Sequence, residues 1–516
     1  MRYIAAIDIG TSACKTALLD ENGQVAAAVQ RKYGVYHPEP GWAEQDAEEW
    51  WTAAASGMRA CLDQSGISAR AVVGVGVAGQ SWSCIPVTED GHPLARTPIW
   101  MDTRARDICR EVEKNVGRQR IFETAGNPFQ AGYQTPKILW FQRAMPEVYQ
   151  QTACFLTSNG FIVMRLAGAG VKVMDRSQSY GIHCYDFTHG RYDRPLAEAM
   201  GISLEKLPPV VDCHQIVGVV TEAAAEQTGL MAGTPVVAGG LDAACGTLGA
   251  GVCRAGQTQE QGGQAGGMSI CLDAPLAHPK LILSPHVIPG KYLLQGGTVG
   301  GGASMKWLTQ ELGEAERQYC KIHGGSPMAL LDEMAAQVPP GSDGLVFLPY
   351  LAGERSPIWD PEACGVWFGL DYQKTKGHLF RSLMEGVAYA LRHNLETAAE
   401  AGVTVEDLYA VGGSANSGIW TQIKADVTQR TVYVTDSDEA TTRGAAILAG
   451  VAMGVYPGFG EAVERLLTVK RRYRPQEGLT SVYGDRYEIY RRLYPALEHL
   501  MAMTVRQRKE EEGVTQ

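Results

Sequence analysis

Apolar and polar positions repeat with two different periods along this chain, and the changes of period divide it into elements. Tyr3 to Ile7 is a continuous apolar run of the kind buried strands carry. Gly10-Thr11-Ser12 breaks it, and Thr16 to Leu19 reads as a second strand. Glu21-Asn22-Gly23 reads as the next turn, and a third strand follows near Val25 to Val29. Helical spacing appears from Asp46 to Cys61 and again around Lys137-Ile138-Leu139-Trp140. Ala71 to Val77 and Pro235 to Ala238 are Val-rich runs that end in Gly79 and in Gly239-Gly240. The second half repeats the theme. Gly262 to Leu272 is a Gly-rich turn leading into a strand, and Leu345 to Leu348 and Tyr409 to Val411 read as buried strands. Leu379, Leu383, Val387, Leu391 and Leu395 share one helical face, and Gly402 is placed to end that helix. Strands alternating with helices predict an α/β architecture.

A chain of 516 residues exceeds what one core serves, so two large domains are expected, divided near residues 248–256. The expected spans are 1–250, 251–455 and a helical extension over 456–516, whose charged end from Arg506 is read as disordered. With 45% hydrophobic and 20% charged residues the composition is that of a soluble globular protein. A formal net charge of -10 argues against general nucleic-acid binding. The 12 cysteines include no CxxC pair, which argues against a zinc or iron–sulfur framework. The N-terminus enters directly into a strand-like run without the apolar core of a signal peptide. No apolar stretch reaches the roughly 20 residues a membrane-spanning helix needs. The expectation is a reduced, cytoplasmic protein that binds neither membranes nor nucleic acid.

The 60 glycines change the picture, because many cluster beside polar residues and suggest loops that approach a ligand closely. In Asp8-Ile9-Gly10-Thr11-Ser12 a carboxylate at a strand end adjoins a small turn with two hydroxyls. Such a turn can cradle phosphate oxygens while the Asp orients Mg2+, and it is equally an ordinary hairpin. Gly239-Gly240-Leu241-Asp242-Ala243 places another Asp at a strand end before a helix. Taken alone, that Asp reads more readily as an N-cap than as an anion-site or catalytic group. Gly412-Gly413-Ser414-Ala415-Asn416, followed by a helix with Trp420, Ile423 and Val427, can accept the flat face of a base or be a tight connection. Gly296 to Gly302 permits close backbone approach, with Gly297 and Thr298 as candidate contacts, or forms a flexible loop. Gln80, Trp82, Asp102 and Arg104 are planar polar and aromatic groups of the sort that bind sugars, whereas Trp100 reads as core.

Together and in this order the motifs resemble the FGGY carbohydrate kinases, and among them the xylulose kinase branch. The resemblance also runs through Trp42-Ala43-Glu44-Gln45-Asp46, Pro136-Lys137-Ile138-Leu139-Trp140, the block from Leu348 to Pro357 and Gly365-Val366-Trp367-Phe368-Gly369-Leu370. It implies two actin-like, ribonuclease-H-like domains with a catalytic cleft between them, transfer of the ATP γ-phosphate to a sugar hydroxyl, and a homodimer. It further implies Asp242 as the base, in contact with sugar and metal, and Asp8 as a holder of Mg2+. Gly10, Thr11 and Ser12 become the first phosphate loop, Gly263 and Gln264 part of the second, and Gln80, Ser81, Trp82 and Asp102 sugar contacts. Gly412, Gly413, Ala415 and Asn416 fall in the adenosine segment.

Three positions depart from the family pattern. Ser81-Trp82 stands where xylulose kinases usually carry Met-His, and Trp100-Met101-Asp102 where they carry Trp-Asn-Asp. Gly263-Gln264-Ala265-Gly266 replaces Gly-Thr-Ser-Gly, losing both hydroxyls. A ketopentose such as D-xylulose is the expected acceptor. The alternatives are another ketose, a polyol, a sugar acid or a hydroxylated signal molecule. From another class comes a nucleotide-binding regulator with little turnover.

Overall fold

The computed structural model describes residues 1–436 and 439–514. The expected triple-strand opening is present as β1 (Tyr3–Ile9), β2 (Ala13–Asp20) and β3 (Val25–Lys32). The helix after it, α1 (Ala47–Ser65), starts where the Asp46 carboxylate accepts the Glu48 N–H and stops at Gly66, which takes the left-handed conformation at φ 66°. Next come β4 (Val72–Gly79), β5 (Ile216–Val219) and β6 (Pro235–Val237). The sheet order is β5-β6-β4-β1-β2-β3. β1 runs antiparallel to β2 and parallel to β4, β4 parallel to β6, and β6 antiparallel to β5. Helix α2 (Asp242–Gly249) follows directly on the two-residue strand Gly240–Leu241, which also pairs with β4.

The second sheet repeats this arrangement except at one edge, where the outermost strand follows its neighbour in the chain instead of preceding it. It includes β7 (Thr258–Gly262), β8 (Gly266–Leu272), β9 (Tyr292–Thr298), β10 (Leu408–Val411), β11 (Val432–Thr435) and β12 (Val469–Tyr473). They lie as β9-β8-β7-β10-β11-β12. Again the first two strands form an antiparallel hairpin, the first strand runs parallel to the fourth, and the outermost pair is antiparallel. The helix predicted around residues 379–395 is Lys376–Glu400. Leu383, Val387, Leu391 and Leu395 on its face are all buried, each contributing about 1.5–3 kcal/mol of burial. Its end is a Schellman motif: the Gly402 N–H donates to the Ala399 carbonyl, the Val403 N–H to the Ala398 carbonyl, and Gly402 sits at φ 81°.

Two compact units result, and neither is one stretch of chain. The first takes Met1–Ala255, Cys271–Leu293 and Glu439–Leu467, and the second Gly256–Ile270, Leu294–Asp438 and Thr468–Gln516. A single boundary near 250 therefore does not describe the division. Each unit has its own apolar core, one around Ile7, Trp50, Val75 and Phe161, the other around Phe347, Leu383, Trp420 and Tyr483. The end of the chain differs from expectation as well. Rather than being disordered from Arg506, it continues the helix Thr480–Val514. That helix is anchored by buried Tyr483, Tyr487 and Tyr490. Thr515 and Gln516 lie outside the described residues.

Candidate active site

In the first unit three neighbouring strand ends bring three of the motifs together. Ala78 pairs with Asp8 on one side and Gly240 on the other, and Gly79 pairs with Ile9 and Leu241. The turn Gly10–Ser12, the segment from Gln80 and the start of α2 at Asp242 therefore emerge at one edge of the sheet. Gly239 makes this possible. It sits at φ 81°, and a Cβ there would fall 2.0 Å from the Val77 carbonyl oxygen, so no side chain fits.

Asp242 is the first residue of α2, not its N-cap. The cap is Leu241, and the Asp242 carboxylate instead accepts the N–H of its neighbour Ala243 at 2.6 Å. Burial pushes its pKa up to about 7. Burial and the Asp242 carboxylate together push Asp8 up to about 8, opposed by Lys15, whose own ion pair is with Glu439 at 2.7 Å. The Oδ1 of Asp8 is buried without a hydrogen-bond partner. Two carboxylates at adjoining strand ends, one with an unused oxygen, form a donor set that suits a hard divalent cation. Among the described residues no group of three or more His, Cys, Asp or Glu side chains is placed to hold a metal, so waters or phosphate oxygens would have to complete the shell.

Gln80 is buried and joins the strand ends. Its N–H donates to the Ile9 carbonyl, its Nε2 to Gln45 Oε1 at 2.7 Å, and its Oε1 accepts from the Thr11 hydroxyl at 3.4 Å. Trp100, read as core, is instead 37% exposed, and its indole N–H donates to Thr11 Oγ1 at 3.0 Å. Its loop position leaves the ring over a polar turn, outside the apolar core. Trp82 is half-buried and strained, with φ 56° in a non-glycine residue. It stacks on Tyr133 with ring centroids 4.0 Å apart, and Ser81 beside it is half-buried. The buried Lys137 ammonium holds the strained backbone by donating to the carbonyls of Trp82, Ile99 and Gly132 at 2.6–2.9 Å. Burial lowers the pKa of Lys137 to about 7. Asp102 is buried and its carboxylate is taken up within the fold, by the Arg104 guanidinium and the N–H groups of Ala43 and Arg104.

The remaining motifs belong to the second unit. A cavity of about 720 Å³ is lined by Gly263, Gln264, Gly413 and Asn416 together with Met305, Pro327, Met328 and Trp420. Its size and mixed lining suit a nucleoside-sized ligand. Gly262 and Gly412 approach so closely that a Cβ on Gly412 would lie 2.8 Å from the Gly262 carbonyl oxygen. The carbonyls of Gly263 and Gln264 accept the Gly302 and Ala303 N–H groups, which fixes the loop on the helix Gly302–Leu312. Gly297, Thr298, Gly412 and Ala415 do not line the cavity. The Gly297 N–H donates to Ser356 Oγ and the Val299 N–H to Glu354 Oε1, and the Ala415 carbonyl accepts from Arg471. The cavity walls at Met305 and Pro327–Met328 were not signalled by any motif, since isolated apolar residues on helices read as core.

Known proteins give this geometry a context. The model of the FGGY family of carbohydrate kinases matches with its N-terminal domain over residues 3–249 and with its C-terminal domain over residues 269–453. The chain is 31% identical over 499 residues to the xylulose kinase of Escherichia coli (strain K12), covering 96% of this chain and 99% of that one. It is 28% identical over 497 residues to the xylulose kinase of Bacillus subtilis (strain 168), covering 96% and 97%. The crystal structure of xylulose kinase from Rhodospirillum rubrum superposes with a TM-score of 0.89 at 30% identity, covering 97% of this chain and 100% of that one.

Proposed function

The chain belongs to the FGGY family of carbohydrate kinases and is a sugar kinase, and from that premise we propose that it phosphorylates a hydroxyl of a ketopentose, D-xylulose, with Mg-ATP. The observation that carries the proposal is the pair of carboxylates, Asp8 and Asp242, at adjoining strand ends beside Gln80.

In this reading the acceptor sugar lies against Gln80, Ser81 and Trp82, and its hydroxyl meets Asp242. A sugar hydroxyl is a weak nucleophile, and a carboxylate with a pKa raised to about 7 is matched to accepting its proton near neutral pH. Ionised Asp242 takes the proton as the hydroxyl oxygen bonds to the γ-phosphorus and ADP departs. Asp8, with Asp242, would hold Mg2+, which supplies neutralisation of phosphate charge when bound. Gly10, Thr11 and Ser12 offer donors to phosphate oxygens. The cavity lined by Gly263, Gln264, Gly413 and Asn416 takes the adenosine. Asp102, locked by Arg104, sets the shape of the 100–104 loop.

The 12 cysteines are all free thiols, which suits a reducing compartment, and among the described residues no helix is long and apolar enough to cross a membrane. The cytoplasm is the proposed location, and a homodimer is proposed on family resemblance alone. Ser81-Trp82 motivates a second reading, in which the acceptor is another ketose, a polyol or a related hydroxylated molecule that packs on the Trp82–Tyr133 stack. Coupled ADP release with Mg-ATP over a panel of ketoses, polyols and sugar acids decides between them. D-Xylulose is expected to give the highest kcat/KM, and Asp242→Asn to lower kcat by about 10²–10⁴-fold. A higher value with another acceptor replaces the first reading by the second.

A further inference from the structure

Another carboxylate, Asp175, is fully buried and is used by neither reading. It ends the short strand Met174–Asp175 and caps the 3-10 turn Arg176–Gly181 by accepting the Gln178 N–H at 3.1 Å. Its other donors are the Ser177 hydroxyl, Asn159 Nδ2 at 2.8 Å and, more weakly, the Cys213 thiol at 3.7 Å. Burial raises its pKa, and these hydrogen bonds oppose the rise.

Each of the main donors also reaches a strand end of the site. Ser177 Oγ accepts the Leu241 N–H at 2.8 Å, one residue before Asp242. Gln178 Nε2 lies 3.1 Å from both the Gly79 and the Gln80 carbonyl oxygens. Asn159 Nδ2 also reaches the Ala238 carbonyl at 3.4 Å. The strand ends press on this network: a Cβ on Gly79 would fall 2.4 Å from Ser158 Oγ, and one on Gly240 would fall 3.2 Å from Ser177 Oγ.

We infer that Asp175 is a positioning residue that sets the acceptor segment at Gln80 and the base at Asp242 in fixed register, through Gln178 on one arm and Ser177 on the other. The inference rests on the reading of Asp242 as the base. The two arms separate kinetically. Ser177→Ala frees the Leu241 N–H and lowers kcat about tenfold with little change in sugar KM, because small displacements of a catalytic group cost one to two orders of magnitude. Gln178→Ala removes one donor from the Gly79 and Gln80 carbonyls, leaving Gln80 the Ser158 hydroxyl, and raises sugar KM with kcat nearly unchanged. Asp175→Asn does both.

The deciding experiment is a double-substitution cycle on the full chain, read by steady-state kinetics with Mg-ATP and the best acceptor. If Ser177 acts through Asp242, Ser177→Ala lowers kcat about tenfold in the wild type and leaves the residual rate of Asp242→Asn unchanged. An equal loss in both backgrounds, or a wild-type kcat for Ser177→Ala, overturns the inference. Near-normal turnover of Asp242→Asn alone is a different failure, that of the base reading, and is visible before Ser177 is touched. Ser177→Ala removes one hydroxyl, so the test does not depend on Asp175→Asn folding.

Discussion

Each sheet opens with a hairpin whose first strand carries an acid two residues before a turn glycine: Asp8 before Gly10 in the first unit, Glu260 before Gly262 in the second. The two acids have opposite fates. Glu260 is buried against Lys424, with Nζ 2.6 Å from Oε1, and Lys424 also donates to Ser414 Oγ at 2.7 Å. Both acids keep one buried oxygen without a hydrogen-bond partner, Oε2 in Glu260 and Oδ1 in Asp8, but where Glu260 meets an ammonium, Asp8 feels the like charge of the Asp242 carboxylate, which raises its pKa. A strand-end acid that the fold neutralises stabilises structure. One left uncompensated costs the fold stability, which is the mark of a candidate functional group.

The comparison breaks first at Asp242. Asp242→Asn should lower kcat by about 10²–10⁴-fold, the usual range for a general base, with ATP affinity by calorimetry unchanged. In the wild type, kcat should rise with pH through about 7 as Asp242 ionises. Next is Lys424→Met, which strands Glu260 as an unpaired buried charge and should cost about 3–5 kcal/mol by denaturant unfolding. Asp8→Asn should do the reverse. With its pKa raised from 3.8 to about 8, Asp8 binds more protons folded than unfolded across that window, so its contribution to stability falls as pH rises through it. The variant should therefore melt above the wild type at pH 8, and the gap should close toward pH 4. Excess Mg-ATP should shrink it. The smallest effect is expected from Gln264→Thr with Ala265→Ser, which returns two hydroxyls to the second loop. A gain of about 0.5–1 kcal/mol would lower the ATP KM a few-fold. No change would mean that this loop holds phosphate through its backbone alone.

The strands of the first hairpin were legible because Gly10 interrupts a clear apolar run, whereas the first strand of the second, Thr258–Gly262, is polar and gave no such signal; Asp8 and Asp242 stood out as acids beside strand-end glycines. Their convergence was not legible from spacing, since Asp8 and Asp242 meet only through the strand Val72–Gly79 between them. Family resemblance, not periodicity, singled out Asp242, whose local pattern favoured a cap. Trp100 was misread because tryptophan is usually buried, whereas the turn at Thr11 gives its indole N–H a polar partner at the surface. Asp175 left no signal at all, being one polar residue in the polar run Asp175-Arg176-Ser177-Gln178.

The first unit also takes in Glu439–Leu467, and the helix Ala440–Ala452 in that segment lies directly on older parts of the unit. A Cβ on Gly76 would fall 2.0 Å from the Ala445 carbonyl oxygen, and one on Gly249 would fall 1.8 Å from that of Ala440. During synthesis, then, the sheet around Asp8 emerges early but this face stays uncovered until the ribosome has passed residue 467, after the first two of the second unit's three segments have appeared. A chain stopped near residue 250 would display the bare face at Gly76 and Gly249 to any apolar neighbour. Asp8 is among the first residues made and Asp242 comes near the middle, while the helix that covers their sheet comes late in the chain.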